Sequence, residues 1–131
     1  MIAVDSSAIV AIFMREAEAE HFLARILADD DPVISAASLL ETSIVLRALD
    51  RQNASDAELD GFVAGCLRVV EVTAEQVAIA RAAYARYGKG MGHGAQLNFG
   101  DCFSYALAKS LGVPLLYKGM DFSRTDIVSA G

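Results

Sequence analysis

Asp5, Glu41, Asp101 and Asp121 stand at four junctions of this chain, each after a short apolar run or at the opening of a helix-like pattern. In an open α/β sheet, junctions of this kind can converge beyond the carboxyl ends of the strands, where ligands bind. Carboxylates gathered there repel one another by about 4 kcal/mol per pair at ~4 Å and an effective dielectric of 20. A divalent cation relieves that repulsion, and hard oxygen ligands suit Mg²⁺ or Mn²⁺. Such an ion polarises a phosphoryl oxygen and lowers the pKa of bound water, and a second ion beside it stabilises the leaving oxygen. Helix N-termini at the same junctions would aim free amides at a phosphate. The chemistry suggested is phosphodiester hydrolysis without a covalent intermediate.

Each acid also has a plainer use. Asp5 could cap the first helix. Ser38-Leu39-Leu40-Glu41 has capping-box spacing, in which Glu41 reaches back to an N-cap amide. Asp101 sits in a first helical turn, where the macrodipole favours an acid. Asp121 could be a turn residue. The recurrence of one kind of position in all four favours the shared metal site.

The elements that must position these acids are legible as an α/β alternation. Ile2–Val4 is a buried strand, followed by a helix capped by Ser6 or Ser7 and running through Phe13. A second helix is expected over Glu16–Ala28, with Ala19, Phe22, Leu23, Ile26 and Leu27 at helical spacing. Asp29-Asp30-Asp31-Pro32 breaks it as a solvated turn. Val33-Ile34 is a second strand. A long helix over Ser38–Arg51 carries Leu39, Leu40, Ile44, Val45, Leu46 and Leu49 on a broad buried face. Asn53 and Ser55 mark a turn and a cap before a helix over Asp56–Cys66. Leu67–Val72 is a third strand, and Thr73 caps a helix through Tyr87. Gly88–Gly94 has four glycines in seven residues, a loop that lacks the P-loop pattern. A helix from Asn98 to Leu111 is stopped by Gly112 and Pro114. Pro114–Tyr117 is a fourth strand, Lys118–Asp126 a polar loop, and Ile127-Val128 a short last strand. This order predicts a mostly parallel central sheet flanked by helices.

At 131 residues, 54% of them hydrophobic, the chain can bury the core of one domain. No apolar stretch approaches the ~20 residues of a membrane span. Met1-Ile2-Ala3-Val4-Asp5 lacks a basic n-region and a cleavage site, so no signal peptide is expected and the location is cytoplasmic. Cys66 and Cys102 lie in apolar segments, as small hydrophobes of a reducing compartment. Two Cys and two His at this spacing do not make a zinc site. A net charge of −6 argues against sequence-blind polyanion binding and leaves room for a basic partner.

Val4-Asp5-Ser6-Ser7-Ala8, the helical Glu41, Asn98-Phe99-Gly100-Asp101-Cys102 and Lys118-Gly119-Met120-Asp121-Phe122-Ser123-Arg124-Thr125-Asp126 together resemble the PIN-domain ribonucleases, and among them the VapC toxins of prokaryotic toxin–antitoxin pairs. The likeness covers essentially the whole chain, as a single PIN domain over residues 1–131. It implies a three-layer PIN-like fold and Mg²⁺- or Mn²⁺-dependent endoribonuclease activity on tRNA or another structured RNA. It carries Asp5, Glu41 and Asp101 over as metal ligands and catalytic acids. Asp121 joins them as a fourth catalytic acid, with Ser7 and Asn98 supporting the acids from behind. Relatives usually place an acid straight after the glycine, where this chain has Met120; Asp121 follows one position later. Lys118 and Arg124 flank the site as RNA contacts, whereas Arg47, Arg81, Arg86 and Lys89 read as solvated helix or loop positions. Tyr84, Tyr87 and Tyr105 read as packing or dimer contacts. The resemblance also implies a homodimer, a VapB-type antitoxin within a hetero-oligomer, and contact with DNA only through that antitoxin.

Two other readings compete. A phosphorelay receiver domain would need an acid pair after the first strand and an Asp after the third. The chain offers Asp5 alone and, near the third strand, Glu71. A catalytically weak PIN-like module, working with its antitoxin in transcriptional autoregulation, is motivated by Met120.

Overall fold

The computed structural model of the protein describes residues 1–50 and 56–131. Their elements are β1 (Ile2–Val4), α1 (Ser6–Phe13), α2 (Ala19–Ala28), β2 (Pro32–Ser35), α3 (Ala36–Leu49), α4 (Asp56–Cys66), β3 (Arg68–Val70), α5 (Ala74–Tyr87), α6 (Phe99–Leu111) and β4 (Leu115–Leu116). The four strands pair in parallel in the order β3-β2-β1-β4. The reversal of strand order falls between β1 and its two neighbours, and ligands of open sheets bind at such a switch point.

Strand alternation builds two cores. Ile2, Val4, Ile34 and Leu116 face one side of the sheet and pack with α1, α2 and α4 through Ile9, Phe22, Ile26 and Leu59. Ala3, Val33 and Leu115 face the other side and meet α5 and α6 through Ala83, Tyr87, Tyr105 and Leu107, with Phe122 of the last loop. The sheet is thus covered on both faces, as parallel sheets require. No helix of the described residues is long and apolar enough to cross a membrane.

Local signals explain several boundaries. Thr73 accepts from the Gln76 amide and caps α5 as expected. Gly112 closes α6 in the left-handed conformation at φ 67°, which glycine adopts without a Cβ penalty. Other boundaries differ from the sequence reading. Of the caps the sequence offers for α1, the one used is Asp5, which accepts from the Ser7 amide, and not Ser6 or Ser7. Helix α2 starts at Ala19, three residues later than expected. Leu27 on α2 and Leu40, Ile44 and Leu49 on α3 are exposed, so the buried stripe of each helix is narrower than its run of apolar residues. Strand β3 spans only Arg68–Val70. At the C-terminus Leu115 bridges Ser129, and Ile127-Val128 is not a strand. The turn and cap expected at Asn53 and Ser55 lie outside the described residues. Cys66 is half-buried and Cys102 buried, both as free thiols.

Candidate active site

The capping-box reading of Glu41 fails on geometry. The N-cap of α3 is Ser35, whose hydroxyl accepts from the Ala37 amide, so Ser38 already lies inside the helix. Glu41 is therefore free of any capping task and extends from the second turn of α3. Its carboxylate accepts a hydrogen bond from Ser6 Oγ at 2.6 Å, which ties α3 to the start of α1. It also lies against the backbone of Gly100: a Cβ placed there would meet Glu41 Oε2 at 1.9 Å. Gly100 is thus the residue that lets the N-terminus of α6 approach α3.

Asp5 leaves β1 at its carboxyl end and is buried. One of its oxygens accepts from the Ser7 amide at 3.0 Å and from Ser7 Oγ at 2.6 Å. The other accepts from Ser104 Oγ at 2.5 Å. Ser38 Oγ stands 3.0 Å from Ser104 Oγ. Because the Ser104 proton is committed to Asp5, Ser38 must donate to Ser104, and a buried chain runs from Ser38 through Ser104 to the carboxylate. Ser7 Oγ in turn accepts from the Lys118 amide at 2.9 Å, which fixes the loop after β4 beside Asp5.

Asp101 has a structural and a chemical side. One oxygen accepts from the Asn98 amide, while Asn98 Oδ1 accepts from the Asp101 amide, a complete capping box for α6. Burial, together with the charges of Asp5 and Asp121 and a hydrogen-bonding contact to Asp121, pushes its carboxyl up to about 7. Asp121, one position later than in the family pattern, is thus near enough to act on Asp101, and Met120 points to solvent at 70% exposure. Glu41 is raised as well, mainly by burial, with Asp5 adding to the shift and the Ser6 hydrogen bond opposing it.

The basic residues divide. Lys118 Nζ is paired with Glu16 at 3.2 Å and Glu18 at 3.4 Å, so its ammonium is turned to α1–α2 rather than to the acids. Arg124 lies against the glycine-rich loop, its guanidinium 2.9 Å from where a Cβ of Gly94 would sit. Arg47 pairs with Asp56, and Arg86 lies over the Tyr87 ring. Tyr105 donates to Asp126, which also binds Lys109, and the pair anchors the end of the loop that carries Asp121.

Asp5 thus acts on both Glu41 and Asp101, and Asp121 on Asp101, so the four carboxylates are neighbours in pairs where α1, α3, α6 and the loop after β4 converge, and among the described residues none has an ion-pair partner. That excess of negative charge fits a cation, and an all-oxygen donor set fits Mg²⁺ or Mn²⁺. Among the described residues no three His, Cys, Asp or Glu side chains close around one point. The fit is accordingly to an ion that takes one or two carboxylates and completes its shell with water, the usual way magnesium is held. The sequence offers Ser6 and Ser38 only as helix caps, and it singles out neither them nor Ser104 as partners of the acids. Ser6 adjoins Asp5, but only the fold brings Ser38 and Ser104 to it.

The family model of the PIN domain matches residues 2–128. Ribonuclease VapC30 of Mycobacterium tuberculosis is 47% identical over 127 residues, covering 96% of this chain and 95% of its own. Ribonuclease VapC of Mycolicibacterium smegmatis is 47% identical over 129 residues, covering 96% and 97%. The crystal structure of VapC20 from Mycobacterium tuberculosis, a toxin that cleaves the sarcin-ricin loop, superposes with a TM-score of 0.75 at 22% identity over 98% of this chain and 97% of that one. The chain belongs to the PIN-domain family, in the branch of the VapC ribonucleases.

Proposed function

We propose that this ribonuclease acts as a metal-dependent endoribonuclease toxin, a single PIN domain over residues 1–131 that cuts tRNA or another structured RNA. The observation that carries the reading is the grouping of Asp5, Glu41, Asp101 and Asp121 at the carboxyl edge of the sheet, where none of them is paired with a cation among the described residues. Bound there, Mg²⁺ or Mn²⁺ would polarise the scissile phosphate and supply an acidified water. Asp5, Glu41 and Asp101 would hold the ion directly or through water. Ser104 and Ser7 keep Asp5 aimed, one on each carboxylate oxygen. Asn98 holds Asp101 in the capping box. Glu41, raised by burial, is suited to take a proton from the attacking water. Asp121 adds negative charge beside Asp101, and Arg124 and Lys118 would meet the RNA backbone, Lys118 after exchanging Glu16 and Glu18 for phosphate.

A cognate VapB-type antitoxin is the proposed partner, in a hetero-oligomer built on a toxin homodimer in the cytoplasm. Solved neighbours that support this include a VapBC2 complex from Rickettsia felis bound to a fragment of its promoter. DNA contact would pass through the antitoxin. The weaker reading, a module with little catalysis, rests on Met120; the influence of Asp121 on Asp101 favours the catalytic reading over it.

The test is cleavage of total bacterial tRNA by the purified chain, with Mg²⁺ or Mn²⁺ and then with EDTA, beside Asp101→Asn. Cuts that need the ion and vanish in the variant are expected. Equal cleavage by Asp101→Asn would overturn the site.

A further inference from the structure

Lys118 is tied to the acids by its backbone and turned away from them by its side chain. Its amide donates to Ser7 Oγ at 2.9 Å, and Ser7 Oγ donates to Asp5 at 2.6 Å, so the lysine begins two hydrogen bonds from that carboxylate. Its ammonium is a compact charge on a flexible four-carbon stem, long enough to span the gap. The acids repel one another and have no ion-pair partner among the described residues, so they attract a nearby cation. The ammonium nevertheless lies 3.2 Å from Glu16 and 3.4 Å from Glu18.

The turn between α1 and α2 is shaped to present that pair. Arg15, at φ 53°, is the only non-glycine residue in the left-handed region among the described residues, a conformation that persists where the surroundings impose it. Its amide donates to the Ile12 carbonyl at 3.2 Å and the Glu16 amide to the Ala11 carbonyl at 2.9 Å, which closes α1. The Glu16 carbonyl accepts from the Ala19 amide at 3.0 Å, so the backbone of Glu16 is fixed on both sides. Glu18 stands at the N-cap of α2, where Ser, Thr, Asp or Asn is the usual choice, and its side chain makes no capping hydrogen bond. That carboxylate is left for Lys118.

We propose that Glu16 and Glu18 are positioning residues for the cation site: they hold Lys118 off Asp5 and its neighbours, and so keep an internal ammonium from taking the place of the divalent ion. The proposal rests on the nuclease reading above and deepens it by naming what keeps the site open. Neither glutamate is a ligand of the ion; both act through Lys118. Asp5 and Asp101 are buried, and an ammonium that joined them would give up its water. That cost offsets much of the attraction, so two carboxylates at the surface suffice to decide where Lys118 rests. The Lys118 side chain is 35% exposed and those of Glu16 and Glu18 are 37% and 39% exposed. Ion pairs this open are weak, and an RNA phosphate can draw Lys118 out of them.

The experiment measures Mn²⁺ binding to the full chain without RNA, from the electron paramagnetic resonance signal of the free ion. Glu16→Gln together with Glu18→Gln is expected to weaken binding about tenfold or more, the order by which residues behind the ligands change metal affinity. Adding Lys118→Met to that pair restores the affinity, because the competing ammonium is gone. Unchanged binding in the double variant overturns the proposal. So does a loss that persists in the triple variant, which would show the glutamates acting by their own charge and not through Lys118. The nuclease reading fails differently. No Mn²⁺ binding by the unsubstituted chain overturns that reading and this proposal together, whereas binding that Asp101→Asn weakens and the glutamate variants leave alone overturns the proposal only.

Discussion

Ser104 and Asp5 are 99 positions apart in sequence and 2.5 Å apart across the site, joined by a hydrogen bond from hydroxyl to carboxylate. The bond locks α6 to the end of β1 and keeps one oxygen of Asp5 from turning. Ser104→Ala removes it and leaves Ser38 without its acceptor. A hydrogen bond to a charged group contributes about 1.5–3 kcal/mol, so a loss of that order is expected in urea unfolding. Cleavage should fall too, and Ser104→Thr, which keeps the hydroxyl, should recover part of both. Full stability in Ser104→Ala would show that the carboxylate does not depend on this donor.

Gly100 separates stability from activity. Alanine in a helix is better than glycine by about 1 kcal/mol, and the group it would strike is the far end of the flexible Glu41 side chain. Gly100→Ala is therefore expected to melt no lower than the unsubstituted chain. Its cleavage rate should fall at least about tenfold, or ~1.4 kcal/mol of barrier, because Glu41 must swing away. Thermal melting and tRNA cleavage on one preparation check both halves.

Asp101 makes the metal-free protein sensitive to pH in a stated direction. Its carboxyl, near 3.8 in the unfolded chain, stands at about 7 in the folded one. The folded state therefore binds the proton more tightly, and this stability is fully present below pH ~3.8 and lost as pH rises to ~7. In EDTA, urea midpoints should fall across that window, and the fall should shrink in Asp101→Asn. Mg²⁺ should stabilise more at pH 8 than at pH 5, because ion and proton compete for the carboxylates. A midpoint that climbs through this window in Asp101 protein relative to Asp101→Asn would contradict the sign.

Asp121 and Met120 should behave oppositely. Asp121 acts on Asp101, and Met120 is exposed. Asp121→Asn is expected to lower cleavage about tenfold or more, ~1.4 kcal/mol, and to lower the Asp101 carboxyl by removing a like charge. Met120→Ala should leave the rate unchanged, and Met120→Asp should not raise it greatly. A large gain in Met120→Asp would revive the reading of a catalytically weak module.

The helix ends show why part of the site was readable in one dimension. Thr73, Asn98 and Gly112 act within three or four residues of themselves, and local hydrogen bonding or a left-handed φ decides their roles. The capping box of Asn98 and Asp101 is local in the same sense. The start of α3 is ambiguous in sequence because Ser35 and Ser38 can each accept from a following amide, while only Ser38 has an acid at capping-box spacing. The choice depended on where β2 had to end, and Ser35 pairs with Val70 of β3.

By itself the sequence determined the alternation of strands and helices, the acids at their junctions and the membership of a nuclease family, since these follow from periodicity, caps and motif spacing. Only the tertiary structure decided that Ser104 and Ser38 support Asp5 and that Glu41 rests on Gly100. The same holds for Asp121 acting on Asp101 while Met120 turns outward, and for Lys118 being paired with Glu16 and Glu18. The physical reason is common to all of them. They are contacts between distant segments, set by how a twisted parallel sheet brings α1, α3, α6 and the last loop to one edge, and hydrogen bonds of 2.5–3.0 Å depend on positions that no local pattern encodes.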